Sequence, residues 1–375
     1  MKVLHLIDSG GLYGAEKVLL ALVKEQLRQG LEPMILSAGS PDIAEKAIEA
    51  EAIRLGLPVK PWRMRPGLNM GETRKILDWA KAQGFTLLHS HGYKFNILLA
   101  MQRRNTKGFA TVTTLHGYVH AKRYSKMWVY ELLDRWAIRT FDAVVLVGEA
   151  MKSEIGGSKR LQRTARVILN GLDVEGLQKK AETPLDARLL AFCQKHTPLI
   201  VGVGRLSREK GFDILLEAFP ELKRHYPEAG LLIVGEGNQR LILERLVESH
   251  GVEECVLMPG FTDIIPSLLR RAAVLAMPSR TEGLPVTLLE AMSIGTPIVA
   301  SAVGAIPRTL GQGKGGRVIE EVTAGTLSDE LQVVLNDKTG AQARADWAKE
   351  EVAGNFSATA MADQYQVVYQ GIQHS

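Results

Sequence analysis

With 375 residues, 46% hydrophobic and 23% charged, the chain has the composition of a globular protein, and its length predicts two or three domains; disordered and fibrous classes are excluded. The best apolar run, Ala272–Pro278, is barely strand length against the ~18 residues of a bilayer span. Asp8 arrives too early for a signal-peptide core, so a cytosolic protein is expected. Two cysteines, Cys193 and Cys255, give neither a disulfide framework nor metal-ligand spacing. The net charge of +5 is uneven: residues 1–175 carry 26 Lys and Arg against 17 Asp and Glu, whereas residues 176–375 carry 20 against 24. A basic first half predicts a boundary near residue 175 and an anionic partner for that half, a phosphate-bearing ligand or acidic lipid headgroups. Nucleic acid is disfavoured, because no recognised binding motif or aromatic stacking platform is present.

In chain order, β-branched or aliphatic runs alternate with amphipathic stretches. Strands are expected at Val3–Ile7, Met34–Ser37, Leu87–His91, Ala110–Leu115, Ala143–Val147 and Arg166–Leu169, with helices at Ala15–Gln29, Ile43–Arg54, Glu72–Gln83 and Trp128–Thr140. A polar stretch, Gly176–Leu185, reads as a linker. The pattern then restarts, with strands at Leu199–Val203, Leu231–Val234, Val256–Met258, Val274–Met277, Pro297–Ser301 and Arg317–Ile319. The helices between them are Phe212–His225, Gln239–His250, Ile264–Arg270 and Val286–Ile294. The last 50 or so residues read as helical, broken at Gly340 and Gly354. Two strand–helix series predict an α/β protein with two parallel sheets, and ligands in such sheets sit at the carboxyl ends of strands.

Four constellations fall at those ends. The loop Ser9-Gly10-Gly11-Leu12-Tyr13-Gly14-Ala15-Glu16 could bring backbone amides and a helix start to an anion, or be only a tight turn; its spacing does not match G-x-G-x-x-G. In Gly202–Gly211, Arg205 offers a planar fork and Lys210 a point charge, which favours a diphosphate over a solvated loop with Lys210 paired to Glu209. In Arg280–Met292, Glu282 precedes a helix starting near Pro285, and Glu290 lies more than a turn inside it. Two carboxylates beside free first-turn amides suit sugar hydroxyls rather than phosphates. His89, His91 and His116 end two strands. The i,i+2 pair does not by itself fix a third metal ligand, so zinc is set aside; for His91 a core role and a functional one stand level, and His116 is the better candidate for a role at a reacting sugar.

These residues resemble the retaining GT-B glycosyltransferases of family 4. The resemblance lies in EGLPVTLLEAMSIGTPIVAS with its E-x7-E pair, GRLSREKG, LIVGEG (Leu232–Gly237), PGFTD, GAEKVLL, HSHGY, TTLHGY and NGLD (Asn170–Asp173), and covers nearly the whole chain. It implies two Rossmann-like domains facing across a cleft: residues 1–175 on the acceptor side, 186–354 for the nucleotide sugar, and a helix at 355–375 crossing back to the first domain. It further implies that Arg205 and Lys210 neutralise the donor diphosphate without a metal or other cofactor, that Glu290 holds the ribose and Glu282 the sugar hydroxyls. Amides at Gly283, Leu284, Thr287 and Leu288 would meet the phosphates, Phe261 would lie by the base, Gly11 or Gly14 would approach the diphosphate, and His116 would face the anomeric carbon. His116, Glu282, Arg205 and Lys210 form the implied catalytic set. Gly304-Ala305-Ile306-Pro307-Arg308 departs from the frequent GGxPE next to the expected sugar site.

The function so implied is transfer of a hexose-type sugar, from a UDP-sugar or alternatively GDP-mannose, to a glycan or lipid-linked acceptor in polysaccharide or lipopolysaccharide synthesis. The alternatives are a sugar-nucleotide epimerase or hydrolase of the same fold, or an inactive nucleotide-binding partner subunit. Basic and aromatic residues at Trp62, Arg63 and Arg65 and between His120 and Arg139 predict peripheral contact of the first domain with an anionic membrane, on the cytoplasmic face of the inner membrane.

Overall fold

The computed structural model describes residues 1–8, 11–12, 14–117, 123–152, 155 and 158–373, the side chains at 149, 150 and 373 excepted. The chain divides into two compact units, Met1–Leu172 with Phe356–Ser375, and Asp173–Asn355.

The first unit runs β1 (Lys2–Ile7), α1 (Gly14–Arg28), β2 (Glu32–Gly39), α2 (Ala47–Arg54), β3 (Val59–Arg63), α3 (Met70–Ala82), β4 (Leu87–Ser90), α4 (Tyr93–Met101), β5 (Ala110–Leu115), α5 (Lys126–Ala137), β6 (Ala143–Leu146), α6 (Lys159–Thr164) and β7 (Ala165–Val167). All strands are parallel, in the order β3-β2-β1-β4-β5-β6-β7. The second unit runs α7 (Val174–Lys180), α8 (Ala187–Lys195), β8 (Leu199–Val203), α9 (Phe212–His225), β9 (Gly230–Val234), α10 (Arg240–His250), β10 (Val256–Gly260), α11 (Ile265–Arg271), β11 (Val274–Met277), α12 (Val286–Ile294), β12 (Ile298–Ser301), α13 (Ile306–Thr309), β13 (Arg317–Ile319), α14 (Ala324–Asn336) and α15 (Lys338–Glu351). Its sheet is also parallel, in the order β10-β9-β8-β11-β12-β13. Both are doubly wound, Rossmann-like sheets. Their aliphatic strands are buried on both faces, as β8 and β9 are at every residue, because helices cover each side. Strand order reverses between β1 and β4 and between β8 and β11, and the loops leaving adjacent strands there open the crevice where such folds take ligands.

The chain returns to the first unit through α16 (Ala358–Gln373). Leu172 N–H donates to Phe356 O at 2.7 Å and Ala358 N–H to Leu172 O at 2.9 Å, tying the return to the end of the unit. Met361, Ala362, Tyr365 and Tyr369 then bury against Val3, Leu22, Leu87, Val112 and Val145.

Several elements differ from the sequence expectation. Gly176–Leu185 is not a featureless linker: Asp173 caps α7 by accepting from Gly176 N–H at 3.0 Å, and the Lys180 and Thr183 carbonyls accept from the Ser267 hydroxyl at 2.8 and 2.9 Å. The break near Gly340 falls at Asp337, whose carboxylate caps α15 at Gly340 N–H, 2.8 Å away. Strand β3 hides behind Pro61, an edge-strand residue. Helix α4 is apolar on nearly every side and so carries no amphipathic period.

Candidate functional site

In the second unit the switch point sets the loop after β8 beside the loop after β11. Backbone and side chains stitch the two together. Arg280 N–H donates to Glu209 O at 2.7 Å, and its guanidinium grips Asp213 with bonds of 2.8 and 2.7 Å while donating to Arg208 O at 2.8 Å. Gly211 has φ 68°, and a Cβ there would lie 2.0 Å from Pro278 O, so only glycine lets the loops approach this closely. This clamp delivers Lys210 to Glu282: Lys210 Nζ lies 2.6 Å from Glu282 Oε1, which also accepts from Ser279 Oγ at 2.8 Å. Ser279 is itself anchored, its carbonyl accepting from Ser301 Oγ at 2.5 Å. Pairing of Lys210 with Glu209 does not occur; the partner is the carboxylate across the switch point. Gly304, at φ 58°, lets the next loop touch the Glu282 carbonyl, where a Cβ would sit 2.0 Å away, and Ala305 N–H donates to Gly283 O at 2.9 Å. The Gly304–Arg308 segment thus abuts Glu282 and Gly283.

Glu282, Gly283 and Leu284 lead into α12, whose N-cap, Pro285, supplies no side-chain cap. The first-turn amides at Val286, Thr287 and Leu288 have no carbonyl one turn earlier in the helix and face outward with partial positive charge. One and a half turns on, Glu290 is half-buried with no hydrogen bond among the described residues. Burial pushes its pKa up, opposed by the charge of Lys180 on α7. The Arg205 side chain is exposed and makes no hydrogen bond or ion pair among the described residues; its charge bears on Glu209. Phe261, 81% exposed, follows β10 at the same end of the sheet. Sequence reasoning missed Asp213, Ser279, Arg280 and Lys180. Arg280, directly before Thr281-Glu282, carried the available signal, but its partner 67 residues away in the chain did not.

In the first unit, His116 directly follows β5 and is half-buried, with Nε2 unpartnered among the described residues. Burial lowers its pKa to about 4, the Glu16 charge opposing, so the ring is neutral near pH 7. Gly11 is described and Gly14 opens α1, whereas Ser9, Gly10 and Tyr13 of the same loop lie outside the described residues, as do Tyr118, His120 and Lys122.

Behind His116 the sheet holds a polar cluster. His5, which the sequence did not single out, joins His89 and His91, and ligand atoms of the three lie within 4.8 Å of one another. Metal-like spacing is therefore present: the third histidine that the i,i+2 pair does not by itself fix comes from β1. The ring nitrogens are occupied by hydrogen bonds instead. Gln26 Oε1 accepts from His5 Nε2 at 2.8 Å, while its Nε2 donates to the Tyr369 hydroxyl at 3.2 Å. That orientation makes His5 Nδ1 the acceptor from His91 Nε2 at 3.0 Å, and the Tyr369 hydroxyl lies 2.7 Å from His89 Nδ1. His89 Nε2 is hydrogen-bonded to Thr114 Oγ1 at 2.8 Å, which is hydrogen-bonded to the Tyr365 hydroxyl at 2.8 Å. Only His91 Nδ1 is left without a partner among these atoms. The chemistry of this donor set is that of a hydrogen-bond relay from α16 to the strand ends. His91 is a core histidine within it.

The basic–aromatic residues separate into two groups. Trp62 meets Trp79 at a tilt of 54° and donates to Glu72 at 3.2 Å, and Arg63 makes two hydrogen bonds to Glu49 at 2.8 and 2.7 Å. Both are engaged internally, which removes them from the expected membrane face. Helix α5 is inverted: Glu131, Asp134 and Ala137 are buried, whereas Met127, Val129, Leu132, Leu133 and Trp136 are exposed, Trp136 by 48%. Asp134 is buried because it accepts from Asn96 at 2.7 Å. No helix among the described residues is long and apolar enough to cross a membrane.

Residues 193–351 match the family Glycosyl transferases group 1, and residues 13–175 match Glycosyltransferase Family 4. A GDP-mannose-dependent alpha-(1-6)-phosphatidylinositol monomannoside mannosyltransferase of Mycobacterium tuberculosis is 32% identical over 69% of this chain and 69% of its own. The alpha-D-kanosaminyltransferase of Streptomyces kanamyceticus is 28% identical over 64% of this chain, and glycogen synthase of Mycobacterium tuberculosis 31% identical over 69%; the match spans 63% and 64% of the lengths of those two relatives. Among solved structures, Anabaena HepE in complex with UDP superposes with a TM-score of 0.74 at 20% identity, covering 99% of this chain and 100% of that one. A glycosyltransferase from Rickettsia africae gives 0.72 at 17% identity, with 99% and 98% covered. The two doubly wound sheets are thus those of GT-B proteins, and the chain belongs to the group 1, family 4 glycosyltransferases.

Proposed function

We propose that this chain is a retaining glycosyltransferase that moves a hexose-type sugar from a nucleotide diphosphate sugar, a UDP-sugar in preference to GDP-mannose, to a glycan or lipid-linked acceptor. The observation that carries the reading is the Lys210–Glu282 pair at the end of the loop that opens α12, with the uncapped first turn and the unpaired Glu290 following it. Cleaving a glycosyl–phosphate bond builds negative charge on the leaving diphosphate and positive charge on the sugar ring. Arg205, Lys210 and the amides of Thr287 and Leu288 are preorganised to receive the negative charge, which is where electrostatic stabilisation acts most strongly. They supply the counter-charge a metal would otherwise provide, so the transfer proposed here is metal-independent. Glu282 and Glu290 accept hydroxyls of the sugar and the ribose, and neutral His116 offers its free Nε2 to the sugar. The preference for UDP rests on relatives of like fold whose structures hold UDP and UDP-glucose.

In the same reading the departing phosphate oxygen takes the acceptor proton on the face it leaves, giving retention. A second pair of glutamates placed as nucleophile and acid is not required. Thermal-shift measurements with UDP-, GDP- and ADP-sugars, followed by NMR analysis of the product anomer, test the proposal. Selective stabilisation by a UDP-sugar and a retained linkage are expected. An inverted linkage, or donor turnover that needs no acceptor, would replace it with another chemistry.

The exposed apolar residues of α5, flanked by Arg123, Lys126, Arg135 and Arg139, support peripheral docking on an anionic membrane. Sedimentation with anionic vesicles at low and high salt checks this; no binding at either salt would remove it.

A further inference from the structure

A cavity of about 820 Å³ opens at the carboxyl end of the first sheet, at its switch point between β1 and β4. Its charged lining is Asp8, Lys46 and Lys94 within, with Glu45 and Lys126 at exposed positions. Asp8 Oδ1 pairs with Lys46 at 3.2 Å, and Asp8 Oδ2 with Lys94 at 2.7 Å. Both ammonium groups are largely withdrawn from water, their side chains 7% and 14% exposed. One carboxylate cannot neutralise two such cations, and exposed Glu45 and Lys126 cancel each other. The inner wall therefore keeps an excess positive charge at a place where desolvation makes it costly.

The hydrogen-bond count agrees. Each ammonium carries three N–H donors. Lys46 donates to Asp8 and to the Ala38 carbonyl, and Lys94 donates to Asp8, so among the described residues donors remain on both. The rest of the lining includes Met64, Phe95 and Met127, which offer no anion. The cavity is also tied to His116: Tyr93, on its wall, donates its hydroxyl to Gly117 O at 2.9 Å, next in sequence to that histidine.

We propose that this cavity holds the acceptor through an anionic oxygen group, a phosphate ester above all, bound by Lys94 and Lys46, with the hydroxyl to be glycosylated lying toward His116. The inference rests on the glycosyltransferase reading for the word acceptor, but the anion site itself does not. A soluble sugar or polyol phosphate and a lipid phosphate share this chemistry. The apolar residues Met64, Phe95 and Met127 tolerate either.

The test has two arms. In the first, calorimetry compares glycerol 3-phosphate with glycerol, with excess UDP present to occupy any nucleotide site. The phosphate compound is expected to bind and glycerol not, with affinity falling as salt rises. Lys94→Met, which leaves Asp8 paired to Lys46, is expected to weaken binding about tenfold or more, the loss of one charge-assisted bond. Equal binding of glycerol, or undiminished binding by Lys94→Met in a folded protein, overturns the site. In the second arm, transfer is assayed with sugar phosphates, lipid phosphates in neutral vesicles, and the dephosphorylated counterpart of each. Transfer confined to phosphorylated members supports the proposal, and the soluble and vesicle members separate the two sources. Equal use of the neutral members overturns it. Absence of transfer to all of them, with no stabilisation by any nucleotide sugar, counts against the glycosyltransferase reading, and the first arm still decides the anion site.

Discussion

Lys210 Nζ sits 2.6 Å from Glu282 Oε1, so the cation proposed for the diphosphate and the carboxylate proposed for the sugar hold one another in place. Glu282 is only 9% exposed and Lys210 23%, so neither charge is well solvated alone. The pair fixes both side chains before a donor arrives, which lowers the ordering cost of binding. Lys210→Met would leave Glu282 with Ser279 as its remaining side-chain donor. It is expected to lower the stability of the second unit by about 1–3 kcal/mol and kcat/KM by about a hundredfold or more. Combined with Glu282→Gln, the stability losses should not add, because each single change already breaks the pair. Thermal unfolding of the four proteins of the cycle measures this, and strictly additive losses would show that the pair carries no coupling.

Arg205 and Arg280 make opposite predictions although both are arginines at the same rim. The Arg205 guanidinium is exposed and has no hydrogen-bond or ion-pair partner among the described residues, so its removal breaks no contact of the fold. Arg205→Ala is expected to leave the melting temperature within a degree or two and to cut turnover by about a hundredfold or more. Arg280 instead clamps Asp213 and the Arg208 carbonyl. Arg280→Ala is expected to loosen the loop bearing Lys210, lowering both melting temperature and donor affinity. Hydrogen exchange across residues 205–213 distinguishes the two: faster exchange in Arg280→Ala and no change in Arg205→Ala.

Glu290 exchanges stability for binding. Burial raises its folded pKa above the ordinary 4.5, so between those values the folded state holds more protons than the unfolded one. Stability from this group is present below the unfolded pKa and is lost as pH rises through the folded one, above which its cost is fully expressed. Glu290→Gln removes that cost and is expected to raise the melting temperature while weakening nucleotide-sugar binding about tenfold. Thermal shift with and without a UDP-sugar reads both effects, and a variant less stable than the parent would contradict the assignment of Glu290 as a carboxylate desolvated at a cost.

Much of this arrangement is legible in the sequence because it is local. Aliphatic runs such as Leu199–Val203 and Leu231–Val234 mark buried parallel strands, and glycines beside Arg205 and Glu282 mark the loops at their ends. What escapes is what only the strand order creates. Nothing in the spacing of Asp213 and Arg280, or of Lys210 and Glu282, announces that β8 and β11 are neighbours. His5 lies inside an ordinary strand run, and its partners Gln26 and His91, with Tyr369 bonded in turn to Gln26, come from three distant segments. Trp62 and Arg63 resemble a surface cluster until β3 is seen to pair with β2 and Glu49 is found opposite.

That histidine cluster predicts how the first unit responds to acid. Burial lowers the pKa of His5 to about 4 despite its bond to Gln26, and lowers those of His89 and His91 well below the ordinary 6.5, with neighbouring histidines adding to the effect. His116 is lowered to about 4, with Glu16 opposing. Each ring is neutral when folded and takes up a proton more readily when unfolded. Stability is therefore complete above pH 6.5 and is lost as pH falls toward 4, with a slope of up to about 1.4 kcal/mol per pH unit for each such group. Protonating His5 Nδ1 also turns an acceptor into a donor facing the His91 Nε2 donor, which disrupts the relay that runs through Gln26 to Tyr369 and hence the seating of α16. Amides of residues 361–369 are expected to exchange faster at pH 5 than at pH 7 after correction for intrinsic rates, ahead of those in β8 and β9. Tyr369→Phe, which leaves His89 Nδ1 and Gln26 Nε2 without their partner, should shift that loss to higher pH and cost about 1–3 kcal/mol at neutrality. Equal protection of α16 at both pH values would mean that the relay does not hold the helix.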